Sequence, residues 1–218
     1  MQLEQFIFNS FQTRCCVVWD ADKRCTITDP GCSSEKELEQ LTGFIAEKAL
    51  KPVCILLTHG HFDHILGVSK LAGKYGIPVY MHPEERFTLE NNTYFSTLFG
   101  IPVPEEFVSS DVADGDIIEV GAMKFEVIST PGHTRGGVCY YERENKILIC
   151  GDTIFAGAIG RTDVPGGDYD TLMKSIFEKV MTLDSDVTIF PGHGPESDLA
   201  TEGMTNPFLM PFNEPLDF

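Results

Sequence analysis

The sequence predicts an α/β (α+β) protein in which two mixed β-sheets lie face to face with helices outside. Three observations predict it. The elements run from strands to helix–strand alternation, return to strands, and close on a helix and a strand, an order that two packed sheets accommodate. Hydrophobic residues make up 42% of the 218 positions, enough to bury a sizeable core and too many for global disorder. No linker-like shift in composition, internal repeat or low-complexity segment divides the chain. Residues 1–218 are therefore expected to form one domain, with 206–218 as a C-terminal tail.

Taken in order, residues 14–20 and 25–29 read as strands joined by Ala21-Asp22-Lys23-Arg24, a hairpin-like opening. Residues 34–49 place Leu38, Leu41, Ile45 and Ala49 on one helical face. Val53-Cys54-Ile55-Leu56-Leu57, bounded by Pro52, is a short apolar run suited to a buried strand. Ile65, Leu66, Val68, Leu71 and Ala72 then recur at helical spacing. Residues 77–81 predict a strand and 83–98 a helix opening at Pro83. Pro102, Pro104 and the stretch 111–116 predict a loop. Four β-like runs follow at 117–120, 123–129, 137–141 and 146–150. Residues 170–182 predict a helix and 187–190 a strand. The tail has no clear period. Phe208, Met210 and Phe212 would close a pocket or pack a dimer, alternatives the sequence leaves open.

The most informative stretch is His59-Gly60-His61-Phe62-Asp63-His64. It puts four potential metal ligands, His59, His61, Asp63 and His64, into one turn. At this composition such a pattern arises by chance in roughly 3 in 10,000 chains of this length, so coincidence explains it poorly. The ligands fall between the carboxyl end of a strand and the start of a helix, where open α/β architectures usually place their sites. Asp63 is expected to cap that helix.

Three later segments share one design: an apolar strand, a glycine at the turn, then one His or Asp. They are Thr130-Pro131-Gly132-His133-Thr134, Cys150-Gly151-Asp152-Thr153 and Phe190-Pro191-Gly192-His193-Gly194. Glycine permits tight turns and close approach. Taken singly, His133 and His193 read as loop histidines and Asp152 as a turn residue. Beside the 59–64 motif, five of the six histidines fall at strand-end turns, which favours one shared site. His82, ahead of Pro83 and without a neighbouring glycine, is left outside it.

Charge and cysteine usage narrow the function. The formal net charge is −17, from 33 acids against 16 bases, which disfavours nucleic acid and anionic membrane surfaces as partners. The N-terminus lacks a basic region followed by an apolar run, so no signal peptide is expected. No apolar run approaches the length of a membrane span. Seven cysteines in no disulfide-framework spacing, several inside predicted strands, suggest a reducing, cytoplasmic setting. Cys15 and Cys16 are expected to point to opposite faces of their strand. Cys32, in a loop after Asp29-Pro30-Gly31, is a weak candidate for redox chemistry.

Thr-His-Gly-His-Phe-Asp-His, Pro-Gly-His-Thr, Gly-Asp-Thr and Pro-Gly-His-Gly, in this order, resemble the metallo-β-lactamase superfamily over essentially residues 15–200. The branch it looks most like is the glyoxalase II-like (hydroxyacylglutathione hydrolase-like) one, through the segment 151–157 and Gly160-Arg161-Thr162-Asp163. The resemblance implies an αββα sandwich with a two-metal site at the sheet edges. His59, His61 and His133 would bind the first metal; Asp63, His64 and His193 the second; Asp152 would bridge both. Asp29 would orient ligands rather than bind metal. The donor set suits two divalent ions, zinc first, with iron or manganese as alternatives.

The reaction implied is hydrolysis of a small-molecule acyl thioester or ester by a bridging hydroxide, with Asp63 and Asp152 holding its orientation. Arg161 is the candidate substrate-binding residue, its fork suited to a carboxylate, with a structural pair to Asp163 as the competing reading. Phe155 and Ile159 would line an apolar wall or pack in the core. The chain departs from glyoxalase II proper in two ways. Residues 194–218 contain no Lys or Arg, and Thr162-Asp163 replaces the aromatic that follows Arg161 in that branch. Both predict weak activity on S-lactoylglutathione. The competing activities are an iron persulfide dioxygenase using His59, His133 and Asp152 on one iron, and a lactonase or β-lactamase using the same hydroxide.

Overall fold

The computed structural model describes residues 1–210. Its strands are β1 (Gln2–Phe8), β2 (Thr13–Trp19), β3 (Arg24–Thr28), β4 (Lys51–Leu56), β5 (Val79–Met81), β6 (Ser110–Asp111), β7 (Ile117–Val120), β8 (Met123–Ser129), β9 (Val138–Glu142), β10 (Ile147–Gly151), β11 (Ile154–Phe155), β12 (Ala158–Ile159), β13 (Thr188–Pro191) and β14 (Ser197–Asp198). Its α-helices are α1 (Glu35–Glu47), α2 (Phe62–Ile65), α3 (Val68–Tyr75), α4 (Arg86–Phe99), α5 (Tyr169–Glu178) and α6 (Leu199–Thr205).

One six-stranded sheet has the order β1-β2-β3-β4-β5-β6, the other β14-β13-β10-β9-β8-β7. Both are mixed. The pairs β1–β2 and β2–β3 are antiparallel, and β3–β4, β4–β5 and β5–β6 parallel. In the second sheet only β10–β13 is parallel.

Side-chain alternation along the strands sorts the core into three layers, as a period of two requires. On β2, Cys15, Val17 and Trp19 face an outer layer with Leu41 and Ile45 of α1 and Val68 and Leu71 of α3. Cys16 and Val18 face inward and meet Phe125, Val127 and Tyr140 of the other sheet. On β9, Tyr140 turns inward while Cys139 and Tyr141 pack outward with Leu172 and Ile176 of α5 and Leu199 of α6. This is the expected helix–sheet–sheet–helix sandwich, with Cys15 and Cys16 on opposite faces. The Tyr140 hydroxyl crosses between the sheets and donates to the Leu57 carbonyl at 2.9 Å.

Local chemistry accounts for the helix ends. Ser34 caps α1 by accepting from Glu37 N–H, and Glu35 and Glu37 favour the positive end of the helix dipole. Asp168 and Asp198 cap α5 and α6 in the same way. Gly100, with φ 66°, ends α4.

Several expectations need correcting. The helix expected after the metal motif is two helices. Gly67 interrupts it, donating its N–H to the Pro30 carbonyl at 2.8 Å, where a Cβ would lie 2.8 Å from that oxygen. Asp63 is not the cap: His61 holds that position in α2, and Asp63 lies inside the helix. The helix from Pro83 opens with a 3-10 turn, Pro83–Glu85, and the one at 170–182 closes with another, Val180–Thr182. Strands β1 and β14, the β11–β12 hairpin and helix α6 had no expectation, and strand β6 takes in Asp111, the first residue of the stretch expected to be loop. Of the tail, Leu209 packs in the core beside α5 and α6, while Phe208 and Met210 are exposed; Phe212 lies outside the described residues. Among the described residues no helix is long and apolar enough to cross a membrane.

Candidate metal centre

The site lies where strands end. Asp29 follows β3 and His59 follows β4. His133 follows β8, Asp152 directly succeeds β10, and His193 comes two residues after β13. Short α2 carries Asp63 and His64. The structure brings together all seven residues expected to ligate. His59, His61 and His133 offer donor atoms within 4.8 Å of one another, and so do Asp63, His64 and His193. Asp152 stands between the triplets. One carboxylate oxygen lies 3.5 Å from Nε2 of both His133 and His193, and the other lies 3.5 Å from Nε2 of His64. The facing atoms of the triplets are themselves close: His133 Nε2 to His61 Nδ1 is 3.0 Å and His64 Nε2 to His193 Nε2 is 3.3 Å. Gly192 allows this crowding. A Cβ there would sit 2.3 Å from Asp152 Oδ1 and 2.7 Å from His64 Cε1.

Four imidazoles are anchored through Nδ1. His133 faces the Arg161 carbonyl at 2.7 Å and His193 the Phe11 carbonyl at 3.0 Å. His64 faces Asp29 Oδ2 at 3.1 Å. The Thr58 hydroxyl donates to Asp29, which leaves its oxygen to accept from His59 Nδ1 at 3.1 Å. Acceptors on Nδ1 select the tautomer that keeps a lone pair on Nε2, and all four Nε2 atoms point into the same space. His61 is the exception, presenting Nδ1. Asp29, with φ 49°, also accepts from Thr58 N–H at 2.8 Å. Both its oxygens are thus engaged in orienting neighbours.

The electrostatics match a ligand set. Burial, then the charge of His64, holds His59 well below the ordinary imidazole value; burial and His133 do the same to His61. Burial would lower His64 too, but Asp63, Asp152 and Asp29 outweigh it and raise its pKa to about 10. Asp152, although burial alone would raise it, is held below the usual carboxylate value by His64, His133, His193 and His61. Among the described residues, Asp29, Asp63 and Asp152 form no ion pair with any Lys or Arg, only with these histidines. His59 Nε2 and Asp152 Oδ1 are buried without a hydrogen-bond partner. Buried acids and orphaned donors of this kind demand compensation, and divalent cations fit the geometry and the chemistry of the donor set.

The remaining candidates separate. Arg161 points its exposed guanidinium at Asp163, with bonds of 2.7 and 3.0 Å; its main-chain carbonyl, not its fork, touches the site. Phe155 and Ile159 are half-buried on the β11–β12 hairpin, and the Phe155 ring lies 6.3 Å from that of His193. His82 caps the 3-10 turn by accepting from Glu84 N–H and belongs to neither triplet. Cys32 is buried and burial pushes its thiol up to about 12, which disfavours the thiolate that redox chemistry would need.

Sequence reasoning missed several supports. Thr13 donates to Asp63 Oδ2 at 2.6 Å, and Asn9 Nδ2 to the Asp63 carbonyl at 2.9 Å. The Phe11 ring packs edge-on against Phe62 and Phe99, with centroids 5.1 and 5.3 Å away. Glu85 and Asn92 reach Gly60 from α4 and the turn before it. No local spacing signals these contacts; only the motif's own Thr58 lay within sight of the sequence.

Comparison with known proteins agrees with this geometry. Residues 9–193 match the family described as the metallo-beta-lactamase superfamily. The probable metallo-hydrolase YqgX of Bacillus subtilis is 40% identical over 195 residues, 88% of this chain and 90% of its own. The hydroxyacylglutathione hydrolase GloC of Haemophilus influenzae is 34% identical over 212 residues, 96% of this chain and 98% of its own. Among solved structures, BLEG-1, described as a B3 metallo-beta-lactamase, has a TM-score of 0.89 at 35% identity, covering 96% of this chain and all of its own. TTHA1623, solved in a di-iron-bound form, has a TM-score of 0.84 at 32% identity, covering 94% and 100%.

Proposed function

This chain belongs to the metallo-beta-lactamase superfamily, and from that premise we propose that it hydrolyses a small acyl thioester or ester at a two-cation centre. The observation that carries the reading is the convergence of two complete ligand triplets on Asp152, with His59 Nε2 and Asp152 Oδ1 otherwise orphaned. His59, His61 and His133 would hold one cation, Asp63, His64 and His193 the other, and Asp152 both. Bound there, a divalent pair supplies a hydroxide nucleophile at neutral pH and polarises an acyl carbonyl; zinc is the ion we propose, with iron or manganese compatible with the same donors.

The chain's own residues do the rest. Asp29 keeps the His64 Nδ1 proton and the Thr58 hydroxyl in place, so that His64 and His59 present lone pairs. Asp63, fixed by Thr13, and Asp152 orient the attacking water as acceptors. The protein offers no cysteine nucleophile in their stead: all seven thiols are buried, and burial raises the pKa of Cys15, Cys16, Cys25, Cys32, Cys54, Cys139 and Cys150. Phe11, Phe62 and Phe99 offer an apolar wall to the acyl group. Arg161 already has one edge of its fork paired with Asp163, which fits weak recognition of glutathione conjugates. The one-iron reading on His59, His133 and Asp152 leaves the second triplet without a task.

Elemental analysis of anaerobically purified protein, paired with a panel of thioesters, esters, lactones and a β-lactam, tests the proposal. Two cations per chain and fastest turnover of a thioester or ester are expected. Oxygen consumption on a persulfide with one iron per chain, or full turnover by a His59→Ala protein shown to lack metal, would refute it.

A further inference from the structure

We propose that Glu85 is a positioning residue for the first ligand triplet, its buried carboxylate tying the His59–His61 loop to the loop after His133; the inference rests on the two-cation reading. Glu85 is wholly buried and has no Lys or Arg partner among the described residues. Its Oε2 accepts from Gly60 N–H at 2.7 Å and its Oε1 from Gly136 N–H at 2.8 Å. Gly60 stands between His59 and His61, and Gly136 three residues after His133. Both positions are small for a reason. A Cβ on Gly60 would sit 3.1 Å from Glu85 Oε2, and one on Gly136 2.9 Å from Glu85 N.

Asn92 completes the clamp. It lies seven residues on, two helical turns along the same face, and its Nδ2 donates to the Gly60 carbonyl at 2.7 Å. The N–H and the C=O of Gly60 are thereby both fixed from one direction, which sets where the flanking side chains point. This matters most for His61. The other four histidines are aimed by a partner on Nδ1, whereas His61 has none: its Nδ1 faces only His133. Its direction must come from its backbone, and that backbone is held by Glu85 and Asn92. The second triplet has supports of its own in Asn9, Phe11, Thr13 and Asp29.

A carboxylate is required because both oxygens accept. Glutamine keeps one acceptor and turns the other into a donor facing an N–H. Glu85→Gln should therefore loosen the first cation selectively. The test titrates metal-free protein with cobalt(II), reading stepwise affinities by visible absorption and chelator competition, with Tm measured alongside. The first-triplet affinity should fall ~10–100-fold, the usual effect of losing a ligand's hydrogen-bonded support, while the second-triplet affinity holds. If Glu85→Gln does not fold, Asn92→Ala, which removes a single neutral hydrogen bond, should shift the same affinity in the same direction by less. Unchanged affinities, or equal loss from both triplets, would overturn the proposal. A wild-type protein that takes up one cation only would instead sink the two-cation reading. The clamp would then stand if that cation were lost with Glu85 at unchanged Tm, and fall otherwise.

Discussion

The two halves of the candidate metal cage are supported by different parts of the chain. The second triplet rests on the N-terminal strands: Asn9, Phe11 and Thr13 from the β1–β2 turn and the start of β2, and Asp29 from the end of β3. The first rests mainly on α4 and the turn before it, through Glu85 and Asn92, with Arg161 lending a carbonyl to His133. Asp29 reaches across through Thr58 to His59, and Asp152 stands between. On the two-cation proposal the difference teaches that substitutions in one set of supports should weaken one half more than the other.

The largest effect should come from the residue common to both halves. Asp152→Ala is expected to drop hydrolysis to background and to release both cations, as metal analysis after gel filtration would register. Asp29→Asn comes next. It weakens acceptors for His64 and Thr58 together, so metal affinity should fall by ~10–100-fold, chiefly at the second triplet but reaching His59. Isothermal titration with zinc would resolve the two steps, and equal affinities in mutant and wild type would break the comparison.

Protonation sharpens the contrast further. His64 in the metal-free fold has a pKa of about 10, above the ~6.5 of an unfolded chain. A raised pKa gives stability that is full below the unfolded value and is lost as pH rises through the folded one. Denaturant midpoints of metal-free protein should therefore decline between neutral pH and pH ~10. His59 and His61, held low, act in the opposite sense: they cost stability as pH falls below ~6.5. Cation binding at neutral pH should also displace the His64 proton, seen as a buffer-dependent heat. A flat midpoint across the alkaline range would contradict the assignment. The smallest effect lies outside both halves. Tyr140→Phe removes the hydroxyl bridge between the sheets and should cost about 1 kcal/mol in urea unfolding, with metal affinity unchanged.

Much of the fold was legible because burial imposes period. β2, β10 and the second half of β4 are apolar runs covered on both faces, β8 alternates buried Met123, Phe125 and Val127 with Lys124 and Glu126, and α1 shows a clean stripe of Leu41 and Ile45. β1 escaped because Ile7, half exposed on the face opposite Phe6 and Phe8, blurs their alternation. The two-residue strands β11, β12 and β14 are too short to show any period. The clustered residues were legible because His59 and His61 flank Gly60 and because His133, Asp152 and His193 each follow a glycine at a strand-end turn; Asp63 and His64, on α2, were legible only through their spacing from those histidines. Their supports were not, because distance in sequence hides them: Glu85 is 25 residues from Gly60 and 51 from Gly136, and Thr13 is 50 from Asp63. Arg161 shows a different limit. Its neighbourhood drew attention to the guanidinium, while the fold employs its carbonyl.

The most direct test is a crystal structure of zinc-loaded protein with anomalous data collected at the zinc edge. It should place one ion among His59, His61 and His133, a second among Asp63, His64 and His193, and the carboxylate of Asp152 in contact with each. A single ion, or ions bound without Asp152, would contradict the account.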